Sequence, residues 1–257
     1  MDSSTILLVS YLLSAVIPIV FWFWFFLRQD RAEPEPKRIL LKAFVLGVIA
    51  IFIATLAGEI FAFLFSSGQN WSELRSYILN ENLSSYFNLP AILLLLFLRG
   101  PIEEGIIFLI FKTFIYREKS FTQIIDGIVY GVALALGFSF VENTIYFTEL
   151  FSSLSTSEFS FILIFRGFAS VLLHLVATGI MGFHMGLARF SNKNKWRIMF
   201  KGVFIAMLLH GTFNVFLQAI YPINVILAFS LILLALIYLI VNIKKTKYKI
   251  IWKLTER

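Results

Sequence analysis

Long apolar runs alternate with short polar stretches along this chain. Seven runs are long enough to cross a bilayer as helices, which takes about 20 residues each. They lie at roughly 5–27, 39–66, 88–116, 121–148, 159–189, 198–219 and 223–243. The pattern predicts an all-α, polytopic membrane bundle, a single integral membrane domain over residues 1–257. No internal repeat appears, and "RAEPEPKR" reads as a short polar loop, not a domain linker. The first run reads as a span and not as a cleaved leader. "MDSST" carries only Asp2, no small-x-small cleavage site follows, and the apolar stretch is too long.

The polar stretches differ in charge. Arg28, Arg31, Lys37 and Arg38 follow the first run, Arg117 and Lys119 the third, and Arg189, Lys193, Lys195 and Arg197 the fifth. The tail adds Lys244, Lys245, Lys247, Lys249, Lys253 and Arg257, whereas the opposite loops, 67–87 and 149–158, hold only Arg75. Basic loops stay cytoplasmic, so the expected orientation is N-terminus out and C-terminus in, in a bacterial cell (cytoplasmic) membrane.

Composition agrees. The chain is 59% hydrophobic and 14% charged, against about 25% charged in soluble domains. The net charge of +7 is spent on topology and on anionic lipid of the bilayer, which argues against nucleic acid as a partner. With no cysteine, disulfides, thiolate metal sites and a cysteine nucleophile are excluded.

Several polar residues lie inside the apolar runs. A single acid at mid-membrane costs roughly 2.5–3.5 kcal/mol on insertion scales, yet "PIEEGIIF" holds two, Glu103 and Glu104. Pro101 suits the first turn of a helix, so the third run is expected to break there, with both carboxylates near a helix N-terminus. "GFSFVEN" places Phe138 and Glu142 on one helix face, with Asn143 adjoining. Arg166 and His174 lie two turns apart, and "HGTFN" sets His210 and Asn214 four apart. Depth ties them together. Glu104 to Arg117, His210 to Arg197 and His174 to Arg189 each span roughly 20–23 Å of helix. Small residues at four-residue spacing (Gly127 and Gly131, Ala133 and Gly137, Gly182 and Gly186) indicate close helix packing.

Lone polar residues in membranes are often interhelical glue worth about 0.6 kcal/mol. His184 is read that way, and Asp126, Lys42 and Lys201 as caps or interfacial groups. The set Glu103, Glu104, Glu142, Asn143, His174, His210 and Asn214 is read as a site, since intramembrane ionisable clusters are functional by default.

Such a set suits peptide hydrolysis. A buried carboxylate activates water, His174 relays the proton, and His210 with Asn214 donates to the developing oxyanion. A metal-free site is the expectation. Zinc held by His174, His210 and Glu142 is the alternative, disfavoured by the lack of HExxH and of an evident acid backing both histidines. A serine mechanism is weak, because Ser139 has no base on its face.

"PIEEGIIF", "GFSFVEN", Arg166 with His174, "HGTFN" and the preceding "FLRQDRAEPEPKRILLKAFVLG" together resemble the PrsW family of bacterial intramembrane proteases, over about residues 20–220. That family is related to the CAAX prenyl-protein proteases and to the multi-pass scaffold subunit of γ-secretase. The resemblance implies endopeptidase action on a membrane protein or peptide substrate, such as an anti-sigma factor, with Glu103 as the base. Two positions depart from the family pattern: Ile107 stands where EE-x-x-K has lysine, and Asn214 where an aspartate is usual. A non-catalytic scaffold of the same superfamily and a proton-coupled transporter are the alternatives.

Overall fold

The computed structural model describes residues 3–28, 34–65, 100–150, 156–192, 194–217 and 222–255. They form seven α-helices: α1 (Ser3–Leu27), α2 (Lys37–Phe65), α3 (Gly100–Ile110), α4 (Ile124–Leu150), α5 (Thr156–Arg189), α6 (Lys195–Phe216) and α7 (Ile223–Thr255). A π-helical turn, Phe111–Ile115, prolongs α3. No strand occurs among the described residues. Hydrocarbon offers the backbone no hydrogen-bond partner, so a spanning segment must satisfy itself as helix.

Five helices are long and apolar enough to span a membrane: Lys37–Phe61, Ile124–Phe147, Gly167–Arg189, Lys195–Phe216 and Ile223–Thr246. The first expected span coincides with α1. Of the third, residues 88–99 lie outside the described residues, as does the chain on which the expected break before Pro101 depends. The last helix runs beyond the expected 243 to Thr255, because helical geometry continues past the apolar stretch that hydropathy detects.

Packing orders the bundle. Helix α4 packs on α2 and α5, α5 on α6, α6 on α3, and α3 on α2, which closes a five-helix ring. Helix α1 lies against α4 and α5 from outside, and α7 against α5 and α6. The most apolar stretches of α4 and α5 are 83% and 89% buried, but that of α7 only 22%, so α7 is a lipid-facing flank. Exposed Leu41, Phe52, Leu56, Phe63, Phe200, Phe204, Leu233 and Leu234 show apolar surface of the kind a bilayer covers.

Glycine sets the closest approaches. A Cβ at Gly131 would stand 2.8 Å from the Thr178 carbonyl oxygen, and one at Gly182 would collide with the Gly127 carbonyl. The Gly127/Gly131 and Gly182/Gly186 pairs thus bring α4 and α5 together backbone to backbone, while Gly137 packs against Phe44 of α2.

At the end of the bundle carrying the basic loops, polar contacts fasten the chain between α3 and α4. The Arg189 guanidinium donates to the carbonyls of Phe121 (2.8 Å), Glu118 (2.9 Å) and Tyr116. Lys42 donates to Glu118 at 2.5 Å and to the Phe114 carbonyl at 2.9 Å. Asp126 accepts the backbone N–H groups of Thr122 and Gln123, both at 2.7 Å, which caps α4 as expected. His184 approaches the Ile180 carbonyl at 2.9 Å through Nδ1, a local bond away from the other histidines.

Candidate active site within the helix ring

Four helices of the ring deliver five ionisable side chains to one place. Helix α3 supplies Glu103 and Glu104, α5 supplies His174 and α6 supplies His210. Glu142 arrives from α4. All five are buried, Glu104 completely. The α3–α6 crossing fixes the first contact. A Cβ at Gly100 would stand 2.8 Å from the backbone nitrogen of Gly211, so the two helices touch beside His210.

That closeness places one histidine between two neighbouring glutamates. Glu104 Oε1 lies 3.1 Å from His210 Nδ1, and Glu103 Oε2 lies 3.4 Å from His210 Nε2. Adjacent helical positions point about 100° apart, so one glutamate is expected to face a cavity and the other to pair with Arg99, Arg166 or free N–H groups of the helix turn. Each carboxylate reaches a different nitrogen of the same ring. Arg99 lies outside the described residues, as does the Arg166 side chain.

His174 stands next to His210, with ring centroids 4.7 Å apart and planes at 88°. Its Nε2 is 3.0 Å from Glu142 Oε2. The other nitrogen, Nδ1, makes no hydrogen bond and lies 3.9 Å from Glu104 Oε1. Phe138, one turn before Glu142 on α4, packs its ring 4.9 Å from that of His174. The expected shared face of Phe138 and Glu142 is therefore the wall against which His174 rests.

Two hydroxyls not anticipated from the sequence complete the cluster. Thr178 donates to Glu104 Oε2 at 3.3 Å, and Ser170 to Glu142 Oε2 at 3.2 Å. Positions 170, 174 and 178 fall on one face of α5, and that spacing was the available signal. Asn143 and Asn214, expected to support an oxyanion, make no hydrogen bond to the five residues. Both amide atoms of Asn143 and Nδ2 of Asn214 are buried without a partner. Ser139 Oγ is likewise buried and unpartnered, and no base approaches it.

Glu103, His174 and His210 each offer a ligand atom, and these atoms lie within 4.8 Å of one another. The set expected for zinc had Glu142 in place of Glu103. Glu142 instead sits on the Nε2 side of His174, behind the ring. One expectation falls. Both histidines are backed by a carboxylate, His174 by Glu142 and His210 by Glu104, the outer-shell arrangement common around metal-binding imidazoles. With Nε2 of His174 and Nδ1 of His210 occupied as donors, a lone pair is left on the opposite nitrogen of each. The donor set, two imidazoles and one carboxylate, is one that catalytic zinc sites use. These residues fit a divalent metal ion.

The family described as "PrsW family intramembrane metalloprotease" matches residues 35–241. The chain belongs to the PrsW family. Protease PrsW of Clostridioides difficile strain 630 is 32% identical over 217 residues, covering 84% of this chain and 82% of the relative. Protease PrsW of Bacillus subtilis strain 168 is 27% identical over 198 residues, with 76% and 77% covered. Protease PrsW of Geobacillus kaustophilus HTA426 is 26% identical over 210 residues, with 82% and 80% covered. No solved structure matches significantly. The match to the PrsW family takes in every helix of the ring, so all five clustered side chains lie within it.

Proposed function

We propose that this multi-pass membrane protein is an intramembrane endopeptidase of the bacterial cytoplasmic membrane, in which Glu103, His174 and His210 hold a divalent metal ion, zinc. The observation that carries this reading is the 4.8 Å grouping of those ligand atoms, with a carboxylate behind each imidazole. Bound there, a divalent ion supplies Lewis acidity, making water a nucleophile near neutral pH and polarising a carbonyl.

The chain's own residues do the rest. Glu142 and Glu104 hold the two imidazoles in opposite tautomers. Glu104 also stands nearest the free Nδ1 of His174 among carboxylates outside the ligand trio, at 3.9 Å. It serves as general base. Water adds to the scissile carbonyl carbon while Glu104 accepts its proton, then the C–N bond breaks and Glu104 returns the proton to the leaving amine. The products are a carboxylic acid and an amine. Asn214, one turn beyond His210 and carrying an unpartnered Nδ2, donates to the oxyanion. This exchanges the roles that the sequence suggested, with Glu103 a ligand and Glu104 the base.

A metal-free reading rests on one distance. Glu103 Oε2 and His210 Nε2 lie 3.4 Å apart, so a small shift would bring them into a proton-sharing hydrogen bond, which an ion between them would prevent. Purified protein separates the two. The metal reading expects one equivalent of zinc, loss of cleavage of a single-span fluorogenic peptide on chelation, and recovery on adding zinc. Glu103→Gln should weaken zinc binding most, while Glu104→Gln should lose turnover even when zinc is saturating. Cleavage that persists in metal-free protein refutes the metal and leaves the Glu103–His210 pair as the catalytic unit. A membrane-anchored regulator such as an anti-sigma factor is the substrate class that the family suggests. Its accumulation in cells carrying Glu104→Gln tests that assignment.

A further inference from the structure

We propose that Ser170 and Thr178 are positioning residues, each fixing a carboxylate that in turn fixes the tautomer of one site histidine. The inference rests on the hydrolytic reading above and deepens it. Two chains of contacts run in parallel: Ser170 to Glu142 to His174 Nε2, and Thr178 to Glu104 to His210 Nδ1.

The behaviour of other hydroxyls makes these two informative. A serine or threonine in a helix ordinarily turns back to the carbonyl four residues earlier. Thr144 does so, donating to the Phe140 carbonyl at 2.7 Å, and Thr246 does so to the Asn242 carbonyl at 2.8 Å. Ser170 and Thr178 instead donate across helices to buried acids. At 3.2 and 3.3 Å these bonds are long for a hydroxyl and a carboxylate, as substrate-free catalytic hydrogen bonds often are before they tighten. Both residues are buried, Thr178 completely. Thr178 is also anchored by its own backbone, because its carbonyl packs against Gly131 of α4.

Each hydroxyl therefore restricts its acid. A carboxylate turns about its last C–C bond unless its oxygens are held. Glu104 offers Oε1 to His210 and Oε2 to Thr178, so its plane is set from both sides. On Glu142 the Ser170 and His174 contacts share Oε2, so the hydroxyl favours presenting that oxygen to His174. Freed from the hydroxyl, either acid swings and the imidazole behind it loses its preferred tautomer. The lone pair then leaves the site. Outer-shell losses of this kind lower metal affinity or turnover by about 10–100-fold.

The test compares Thr178→Val and Ser170→Ala with the conservative Thr178→Ser and Ser170→Thr. Zinc affinity is measured by competition with a chromogenic chelator, thermal stability on metal-free protein, and kcat and KM on a single-span fluorogenic peptide that the wild type cleaves. We expect Thr178→Val and Ser170→Ala to weaken zinc binding or lower kcat at least tenfold with KM little changed. The conservative variants should recover most of that loss, and metal-free stability should stay near wild type. If wild-type protein binds no zinc, the metal reading fails alone, and positioning is still read in kcat and its rescue. Unchanged zinc affinity and kcat in Thr178→Val and Ser170→Ala overturn the proposal. So does a loss that the conservative variants leave uncorrected while stability falls with it, the mark of a packing role.

Discussion

Gly100→Ala tests whether the site depends on how closely α3 and α6 approach. An added Cβ would lie 2.8 Å from the Gly211 nitrogen, 3.1 Å from the Met207 carbonyl oxygen and 3.2 Å from the Gly211 Cα. All three are backbone atoms, so no side chain can swing aside. The helices must part by roughly half an ångström to restore ordinary contact. Overpacking on this scale costs about 1–3 kcal/mol, or about 2–10 °C in Tm for a chain of this size. The larger consequence is chemical. Glu103 and Glu104 lie one turn from Gly100, and His210 adjoins Gly211. Half an ångström added to the 3.1 Å bond between His210 and Glu104 takes it beyond hydrogen-bond reach, and the 3.4 Å contact with Glu103 widens as well. Misplacing catalytic groups by about 1 Å can lower rates about 100-fold, so turnover should fall by one to two orders of magnitude. The assay pairs thermal unfolding in detergent with cleavage of the fluorogenic peptide. Gly58→Ala is the control, because its Cβ meets nothing within 4 Å. It should match wild type in activity and gain up to about 1 kcal/mol from helix propensity. If Gly100→Ala matches wild type in both measurements, the α3–α6 approach is not what aligns the glutamates with His210.

Topology is directly accessible, because the chain has no native cysteine. A cysteine replacing Ser3 should react with an impermeant reagent from outside intact cells, and one replacing Thr255 only after the membrane is opened. The reverse pattern refutes the orientation drawn from loop charge. Arg189→Lys should destabilise the protein by about 1–3 kcal/mol, because a lysine cannot reach three carbonyls with one planar fork. A lysine variant as stable as wild type in detergent denaturation shows instead that water satisfies those carbonyls equally well.

The helices were legible because bilayer insertion demands apolar length, and length survives in one dimension. The polar set was legible for the complementary reason. Glu103, Glu104, Glu142, His174 and His210 each carry a large penalty in hydrocarbon, and Glu104, His174 and His210 were also legible as lying at matched depth. Contact partners were another matter. Which acid faces which imidazole nitrogen depends on the angle and closeness of helices that are far apart in sequence. Glu104 and His210 meet only because Gly100 and Gly211 let α3 and α6 touch. Their glycines carried no spacing signal, unlike the stripe joining α4 to α5.

The same reasoning explains why the sequence could not tell Glu142 from Glu103 as a candidate ligand. Glutamate offers the same atoms wherever it occurs, so sequence ranks three buried glutamates by motif alone. Geometry distinguishes them by the nitrogen each confronts. Glu142 meets His174 on Nε2 and leaves Nδ1 open, whereas Glu103 meets His210 on the nitrogen opposite the one Glu104 occupies. An acid on the far side of an imidazole orients it, and an acid beside its lone pair shares what that lone pair binds. Moving Glu142 to the other nitrogen of His174 would make it a ligand without changing any residue. The ring of helices, more than the list of acids, therefore decides which glutamate holds a ligand and which holds a histidine.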